Sequence, residues 1–167
     1  MGKTTIINKI KEKNFPGVHV VNEIVTDVVQ GAMQVEWINN DKKKINMYDD
    51  GLIIIDRGPI STLSYNETQD LLTGNSELLD VYSFFKQYQS IYNDSVTYYL
   101  KRRNNDNYYI PFDDEFNPYG SVKNQQLLEK VTLHNCYKIC NKFKIIDYDY
   151  QNMEDLINEI IDQYLCS

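Results

Sequence analysis

The sequence lacks three features, each of which would assign it to a broad class of protein. It has no C-x-x-C pair, and its three cysteines (Cys136, Cys140 and Cys166) are an odd number, so neither a zinc cage nor a disulfide framework is expected. It has no apolar run of about 18 residues and no signal-peptide pattern, so we expect a cytoplasmic protein without a membrane-spanning segment. It also has no excess of basic residues, because the formal net charge is −7, and this disfavours a nucleic-acid polymer as partner.

The length and apolar content of the chain are typical of one compact domain. Its 167 residues are 42% hydrophobic, which is enough for a single core, and there is no internal repeat or linker. We therefore expect one domain over residues 1–167. The sequence leaves open whether this domain forms a homodimer.

Helical and strand patterns alternate along the chain. Short apolar, β-branched runs predict strands at 18–21, 52–55, 95–100 and 143–147. Apolar residues at helical spacing predict helices from about 6 to 13, 26 to 48, 61 to 72, 76 to 92, 120 to 141 and 153 to 165. The run Asp41-Lys42-Lys43-Lys44 is interpreted as a solvated face or a bend. This alternation predicts an α/β fold of three layers, with a parallel sheet flanked by helices.

Charged residues follow the predicted strands at the points where they end. Glu23 comes two residues after the first strand, Asp56 and Arg57 come directly after the second, and Lys101, Arg102 and Arg103 follow the third. Because the carboxyl ends of parallel strands meet at one edge of a sheet, we expect these side chains to gather there. A strand-end salt bridge is the structural alternative for Asp56 and Arg57.

The first residues add a phosphate-binding signal. Gly2-Lys3-Thr4-Thr5 matches the second half of the P-loop motif G-x-x-x-x-G-K-[ST] and leads directly into an amphipathic helix. Backbone N–H groups at such a helix start bind anions, the lysine reaches the β- and γ-phosphates, and the hydroxyl binds Mg²⁺. The first Gly of the motif, its variable residues and the strand that normally precedes them do not occur in the sequence. We therefore expect a P-loop fold whose first strand is absent.

These residues have the chemistry that phosphoryl transfer requires, which is alignment of the reactants and neutralisation of charge. ATP and Mg²⁺ are the expected cofactors, with Gly2, Lys3, Thr4 and Thr5 around the phosphates and Thr4 and Asp56 as metal ligands. Arg57 is suited to binding an anionic acceptor. Glu23 is suited to accepting a hydrogen bond from a sugar hydroxyl or to taking the proton from the attacking hydroxyl. Arg102 or Arg103 would close over the transferred group.

Together these motifs resemble the thymidylate kinase and deoxynucleoside kinase group of P-loop kinases over nearly the whole chain. The most specific segment is Asp56-Arg57-Gly58-Pro59-Ile60-Ser61, with Tyr65 after it. The resemblance implies that Arg57 contacts the acceptor's phosphate, that Ser61 and Tyr65 support it, and that Glu23 contacts the acceptor's sugar. It also implies a lid at about 101–119.

Two departures from the thymidylate kinase pattern fall where the acceptor would bind. Gly58 replaces the usual aromatic residue or histidine, and Ile24 replaces the proline that tends to follow the strand-end glutamate. The first expectation is therefore ATP-dependent phosphorylation of a (deoxy)nucleoside monophosphate, with a small molecule as the only partner. A nucleoside or other small-molecule kinase on the same fold is the alternative, and an inactive or truncated nucleotide-binding protein is the second alternative.

Overall fold

The computed structural model describes residues 2–24, 33–74, 78–101, 111, 118–147 and 153–165. These residues form seven α-helices, four strands and one short 3-10 helix. In chain order they are α1 (Gly2–Lys13), β1 (Val18–Val21), α2 (Met33–Ile45), β2 (Leu52–Ile55), α3 (Pro59–Thr73), α4 (Leu78–Tyr88), α5 (Ile91–Asp94), β3 (Val96–Lys101), the 3-10 helix Pro118–Gly120, α6 (Val122–Ile139), β4 (Lys142–Asp147) and α7 (Met153–Leu165).

All four strands are parallel to their partners, as the alternation of helices and strands predicts. β1 pairs with β2 in the register Val18↔Leu52 to Val21↔Ile55, and β3 pairs with β4 from Val96↔Lys142 onward. The α/β prediction is confirmed. The described strands differ from the expectation in one respect, because they form two sheets of two strands each rather than one continuous sheet.

The two sheets nevertheless share one apolar layer on one face. α1 and α7 contribute the buried side chains of this layer, which are Ile6, Ile10, Met153, Leu156, Ile157 and Ile161. Residues at alternate positions of β1, β2 and β3 and one residue of β4 pack against them, namely Val18, Val20, Leu52, Ile54, Tyr98, Leu100 and Ile146. Because strand side chains alternate between faces, this period of two shows that both sheets turn the same face to α1 and α7.

A second apolar cluster lies among the other helices. It is built from side chains of α2 to α6, which are Ile38, Ile60, Leu63, Val81, Phe84, Phe85, Tyr92 and Cys136. Phe143 of β4 packs against this cluster, whereas Ile146 of the same strand packs in the first one. β4 therefore has an apolar cluster on each side.

Local signals explain both ends of α3 and the start of α6. Pro59 begins α3, where its missing N–H is not needed, and Gly74 ends the helix with φ of 65° and donates its N–H to Asp70 O. Ser121 caps α6 by accepting a hydrogen bond from the backbone N–H of Asn124 at 3.2 Å.

Two helix predictions need correction. α2 ends at Ile45 rather than near Tyr48, and the Asp41–Lys44 run lies inside it, so no bend occurs there. The predicted helix from 76 to 92 is divided, since α4 ends at Tyr88 and α5 begins at Ile91. None of the helices in the described ranges is long and apolar enough to cross a membrane.

Candidate functional site

The predicted acidic and basic residues meet where β1 and β2 end. The ladder between these strands continues one residue further, because the N–H of Asp56 donates to Val21 O at 2.9 Å. This register brings the residues after the two strands side by side. An Arg57 guanidinium nitrogen, Nη1, lies 2.8 Å from Glu23 Oε1, and both side chains are 38% exposed. The expected strand-edge cluster therefore exists as an ion pair that solvent and a ligand can reach.

Lys3 enters the same cluster from the first turn of α1. Its Nζ lies 3.2 Å from Oδ1 of Asp56, whose side chain is only 8% exposed. Burial lowers the pKa of Lys3, and the nearby positive charge of Arg57 lowers it further, against the opposing charge of Asp56. Two cations thus lie close enough to repel each other at one side of a buried carboxylate. A bound anion would relieve that repulsion.

Arg57 adopts a backbone conformation that a residue with a side chain rarely takes. Its φ is 56°, in the left-handed region, and it stands between the end of β2 and the start of α3. Hydrogen bonds hold the residues that follow: Ser61 N donates to Gly58 O at 2.9 Å, and Ile60 N donates to Tyr92 Oη at 3.0 Å. The turn that presents Arg57 is therefore fixed by its neighbours.

The same turn gives a physical reason for Gly58. A Cβ built on Gly58 would lie 3.0 Å from Tyr92 Oη, the atom that accepts the Ile60 hydrogen bond. Tyr92 is 6% exposed and stacks on Phe85, so it has little room to move away. A larger residue at position 58 would have to displace this hydroxyl, and Tyr92 takes up space that the side chain of an aromatic residue or histidine would need.

An aromatic group borders the ion pair. The guanidinium carbon of Arg57 lies 5.9 Å from the centroid of the Tyr65 ring, within cation–π range. Tyr65 makes edge contacts with Trp37 at 5.5 Å and with Tyr119 at 5.0 Å, and Tyr119 Oη donates to Tyr65 O at 2.8 Å. Burial raises the pKa of Tyr119, so its hydroxyl stays protonated as a donor. We call Trp37, Tyr65 and Tyr119 the aromatic wall.

Sequence reasoning identified Tyr65 but missed Trp37 and Tyr119. Trp37 falls inside the predicted helix 26–48, and Tyr119 falls at the end of the predicted lid. The chain's single tryptophan and the Pro118-Tyr119-Gly120 turn were the available signals. Neither indicates which ring Trp37 or Tyr119 contacts, since that depends on how α2 and the start of α6 pack against α3.

Four of the remaining predicted site residues lie in described helices, and two lie outside the described part of the chain. Gly2 begins α1, Thr5 lies in its first turn and Ser61 lies in the first turn of α3. Thr4 is exposed. Arg102 and Arg103, like most of the predicted lid at 101–119, lie outside the described residues.

The oxygen atoms of Thr4 and Asp56 could hold Mg²⁺ only together with further ligands from phosphates. Thr4 and Asp56 offer oxygen ligands, which Mg²⁺ prefers, but Asp56 Oδ1 is engaged by Lys3. Within the described residues, no group of three or more His, Cys, Asp or Glu side chains is arranged to hold a metal ion. An ion here would take most of its ligands from water and from a nucleotide, as Mg²⁺ commonly does.

A separate depression of about 400 Å³ lies between α3, α4 and α6. Its lining includes Glu67, Asp70, Tyr82, Lys130 and His134. Glu67 is already hydrogen-bonded there, since it accepts from Tyr82 Oη at 2.8 Å and from Asn135 Nδ2 at 2.6 Å. None of the predicted site residues lines this depression.

Comparisons with known proteins identify no relative of this chain. No protein-family model matches the chain, and neither the curated proteins nor the solved structures contain a match to it.

Proposed function

We propose that the protein transfers the γ-phosphoryl group of ATP to a (deoxy)nucleoside monophosphate. The observation that carries this proposal is the meeting of Lys3, Asp56, Arg57 and Glu23, which come from the start of one helix and the ends of two strands. Phosphoryl transfer depends on cations positioned around the transferred group, and Lys3 and Arg57 supply two of them.

In this proposal Lys3 binds the donor and Arg57 binds the acceptor. Lys3 stands in the first turn of α1, where helix N–H groups also favour phosphate oxygens. Arg57 offers a planar fork that matches two phosphate oxygens, and an acceptor phosphate would replace Glu23 as its partner. The released Glu23 carboxylate would then accept a hydrogen bond from the acceptor's sugar. Mg²⁺ bound with the nucleotide would neutralise charge on its β- and γ-phosphates.

The aromatic wall supports an acceptor that carries a planar ring. Tyr65 stands beside the guanidinium and Trp37 contacts the edge of Tyr65, so a molecule whose phosphate is bound by Arg57 would have its other end near these rings. Aromatic faces bind bases by stacking, with about 1–3 kcal/mol per base. A nucleoside monophosphate has both the anion and the ring.

We also propose the three-layer P-loop kinase fold for this chain. Both two-stranded sheets pack on the same α1–α7 layer, and Phe143 of β4 packs against the second apolar cluster.

The test is a coupled assay of ATP consumption with a panel of nucleosides and nucleoside monophosphates. We expect turnover with one or a few monophosphates and none with the matching nucleosides. Equal turnover across the whole panel, or none with any acceptor, would exclude a dedicated kinase.

A nucleoside kinase is the second candidate, and the exposed carboxylate of Glu23 favours it, because such an enzyme needs a base for the attacking hydroxyl. Two variants separate the candidates. With a monophosphate acceptor, Arg57→Ala raises the acceptor KM strongly. With a nucleoside acceptor, Glu23→Gln lowers kcat most.

A further inference from the structure

The last turns of α2 carry an ion pair that is almost completely buried. Asp41 and Lys44 are 3% and 4% exposed, and Lys44 Nζ lies 2.8 Å from Asp41 Oδ1. Lys42 and Lys43, between them in sequence, are exposed. The interpretation of the Asp41–Lys44 run as a solvated face is therefore wrong for its two end residues, because α2 turns them towards α3.

The pair is connected to two other segments. Thr62 Oγ1 of α3 donates to Asp41 Oδ2 at 2.5 Å, and Lys44 Nζ donates to the backbone carbonyl oxygen of Arg57. Burial raises the pKa of Asp41, while the charge of Lys44 and two hydrogen bonds oppose this. Buried ion pairs contribute little net stability compared with apolar residues of the same size. Stability alone therefore gives no reason for this pair to be ionic.

The carbonyl that Lys44 binds belongs to the residue with the unusual backbone. Left-handed φ values are unfavourable for residues with a Cβ, so Arg57 needs neighbours that hold it there. A donor on the Arg57 carbonyl fixes the orientation of the peptide that follows Arg57. Because the carbonyl and the side chain of Arg57 leave the same Cα, a donor that holds the carbonyl also restricts how far the side chain that pairs with Glu23 can turn.

We propose that Lys44, held in place by Asp41 and Thr62, is a positioning residue that keeps the Arg57 backbone left-handed and its guanidinium directed into the acceptor site. The acceptor part of this inference rests on the proposed function, and the backbone part does not. Lys44 acts through Arg57 and does not itself contact either substrate.

Two double variants test this role without leaving a buried charge. Asp41→Asn/Lys44→Gln keeps an uncharged donor near the Arg57 carbonyl. Asp41→Leu/Lys44→Met replaces the pair with apolar side chains and removes the donor, and such replacements usually preserve folding. Lys43→Met, at an exposed neighbouring position, is the matched control.

We expect Asp41→Leu/Lys44→Met to raise the acceptor KM by about tenfold or more, the equivalent of one lost charged hydrogen bond. The KM for ATP should change less than about twofold, since Lys3 is not held by this pair. Asp41→Asn/Lys44→Gln and Lys43→Met should stay close to the wild type. If the two double variants behave alike, or if both KM values rise together, Lys44 is not a positioning residue.

A crystal structure of Asp41→Leu/Lys44→Met gives a readout that needs no activity. We expect φ of residue 57 to become negative and the Arg57–Glu23 ion pair to break. If the panel assay finds no acceptor, the proposed function fails, yet this structure still decides the positioning role. A left-handed Arg57 still paired with Glu23 would overturn the inference.

Discussion

The space beside Gly58 gives a sharp prediction about the turn that presents Arg57. Gly58→Ala would place a Cβ 3.0 Å from Tyr92 Oη, about as close as Cβ contacts ever come. Tyr92 is buried against Phe85 and its hydroxyl is held by Ile60 N, so it cannot move aside freely. We expect Gly58→Ala to lower the free energy of unfolding by about 1–2 kcal/mol, as is typical of overpacking.

The second variant, Tyr92→Phe, removes the hydroxyl that causes the contact. By itself it leaves the Ile60 N–H, in the first turn of α3, without its partner, and we expect a loss of about 1–3 kcal/mol. In the Tyr92→Phe background, however, the Cβ at position 58 has room. The φ and ψ of Gly58, −102° and −172°, suit alanine, and Gly→Ala reduces the entropy of the unfolded chain.

The sign of the Gly58→Ala effect should therefore change between the two backgrounds. With Phe at position 92 it should be neutral or stabilising by up to about 0.5 kcal/mol. The coupling energy of the double-mutant cycle should be about 1–2 kcal/mol, well above the usual error for independent sites. Urea unfolding of the four proteins, followed by circular dichroism, gives these values.

A matched control uses Gly74, which has φ of 65° but no heavy atom within 4 Å of its notional Cβ. Gly74→Ala should be destabilising by about 1 kcal/mol through backbone strain alone. Its effect should be the same with Tyr or Phe at position 92. If the Gly58→Ala and Tyr92→Phe effects are also additive to within about 0.5 kcal/mol, the account of this turn is wrong.

Two further predictions concern the core and the cysteines. Ile157 is completely buried in the layer shared by both sheets, so Ile157→Ala should lower the free energy of unfolding by about 2–5 kcal/mol. Leu165→Ala, at a 68% exposed position of the same helix, should change it by less than about 0.5 kcal/mol in urea unfolding. Equal effects of the two variants would contradict the shared layer. Hydrogen bonds with Cys136 and with Thr97 lower the pKa of Cys140 to about 7, against the effect of burial. Because the thiolate is the reactive form, the rate of Cys140 alkylation in a Cys166→Ser background should reach half its maximum near pH 7. In Cys136→Ala this midpoint should move towards the ordinary value near 9. An unchanged midpoint in the Cys136 variant would contradict the role of the cysteine pair.

The sequence predicted the parts of the site that depend on strand ends. Val18–Val21 and Leu52–Ile55 are short apolar runs closed by charged residues, and parallel pairing places their ends together whatever the details of packing. Glu23, Asp56 and Arg57 were therefore found as one cluster. Lys3 joined them because the P-loop half-motif assigns its place at a helix start.

The sequence could not predict which helix faces turn inward. Asp41 and Lys44 belong to a charged run that is typical of exposed helix surface, and only the packing of α2 on α3 buries them. The role of Tyr92 depends in the same way on a hydroxyl that reaches a backbone N–H 32 positions away in the chain. Long-range contacts of this kind leave no periodic signal, and they account for most of what was missed.

In the proposed function, Lys3 and Arg57 bind two different anions in one site. Isothermal titration of the protein with ATP, and separately with each nucleoside monophosphate, tests this directly. Lys3→Met should weaken ATP binding by about tenfold or more and leave monophosphate binding unchanged, while Arg57→Ala should do the reverse. Wild-type affinity of both variants for both ligands would contradict the claim.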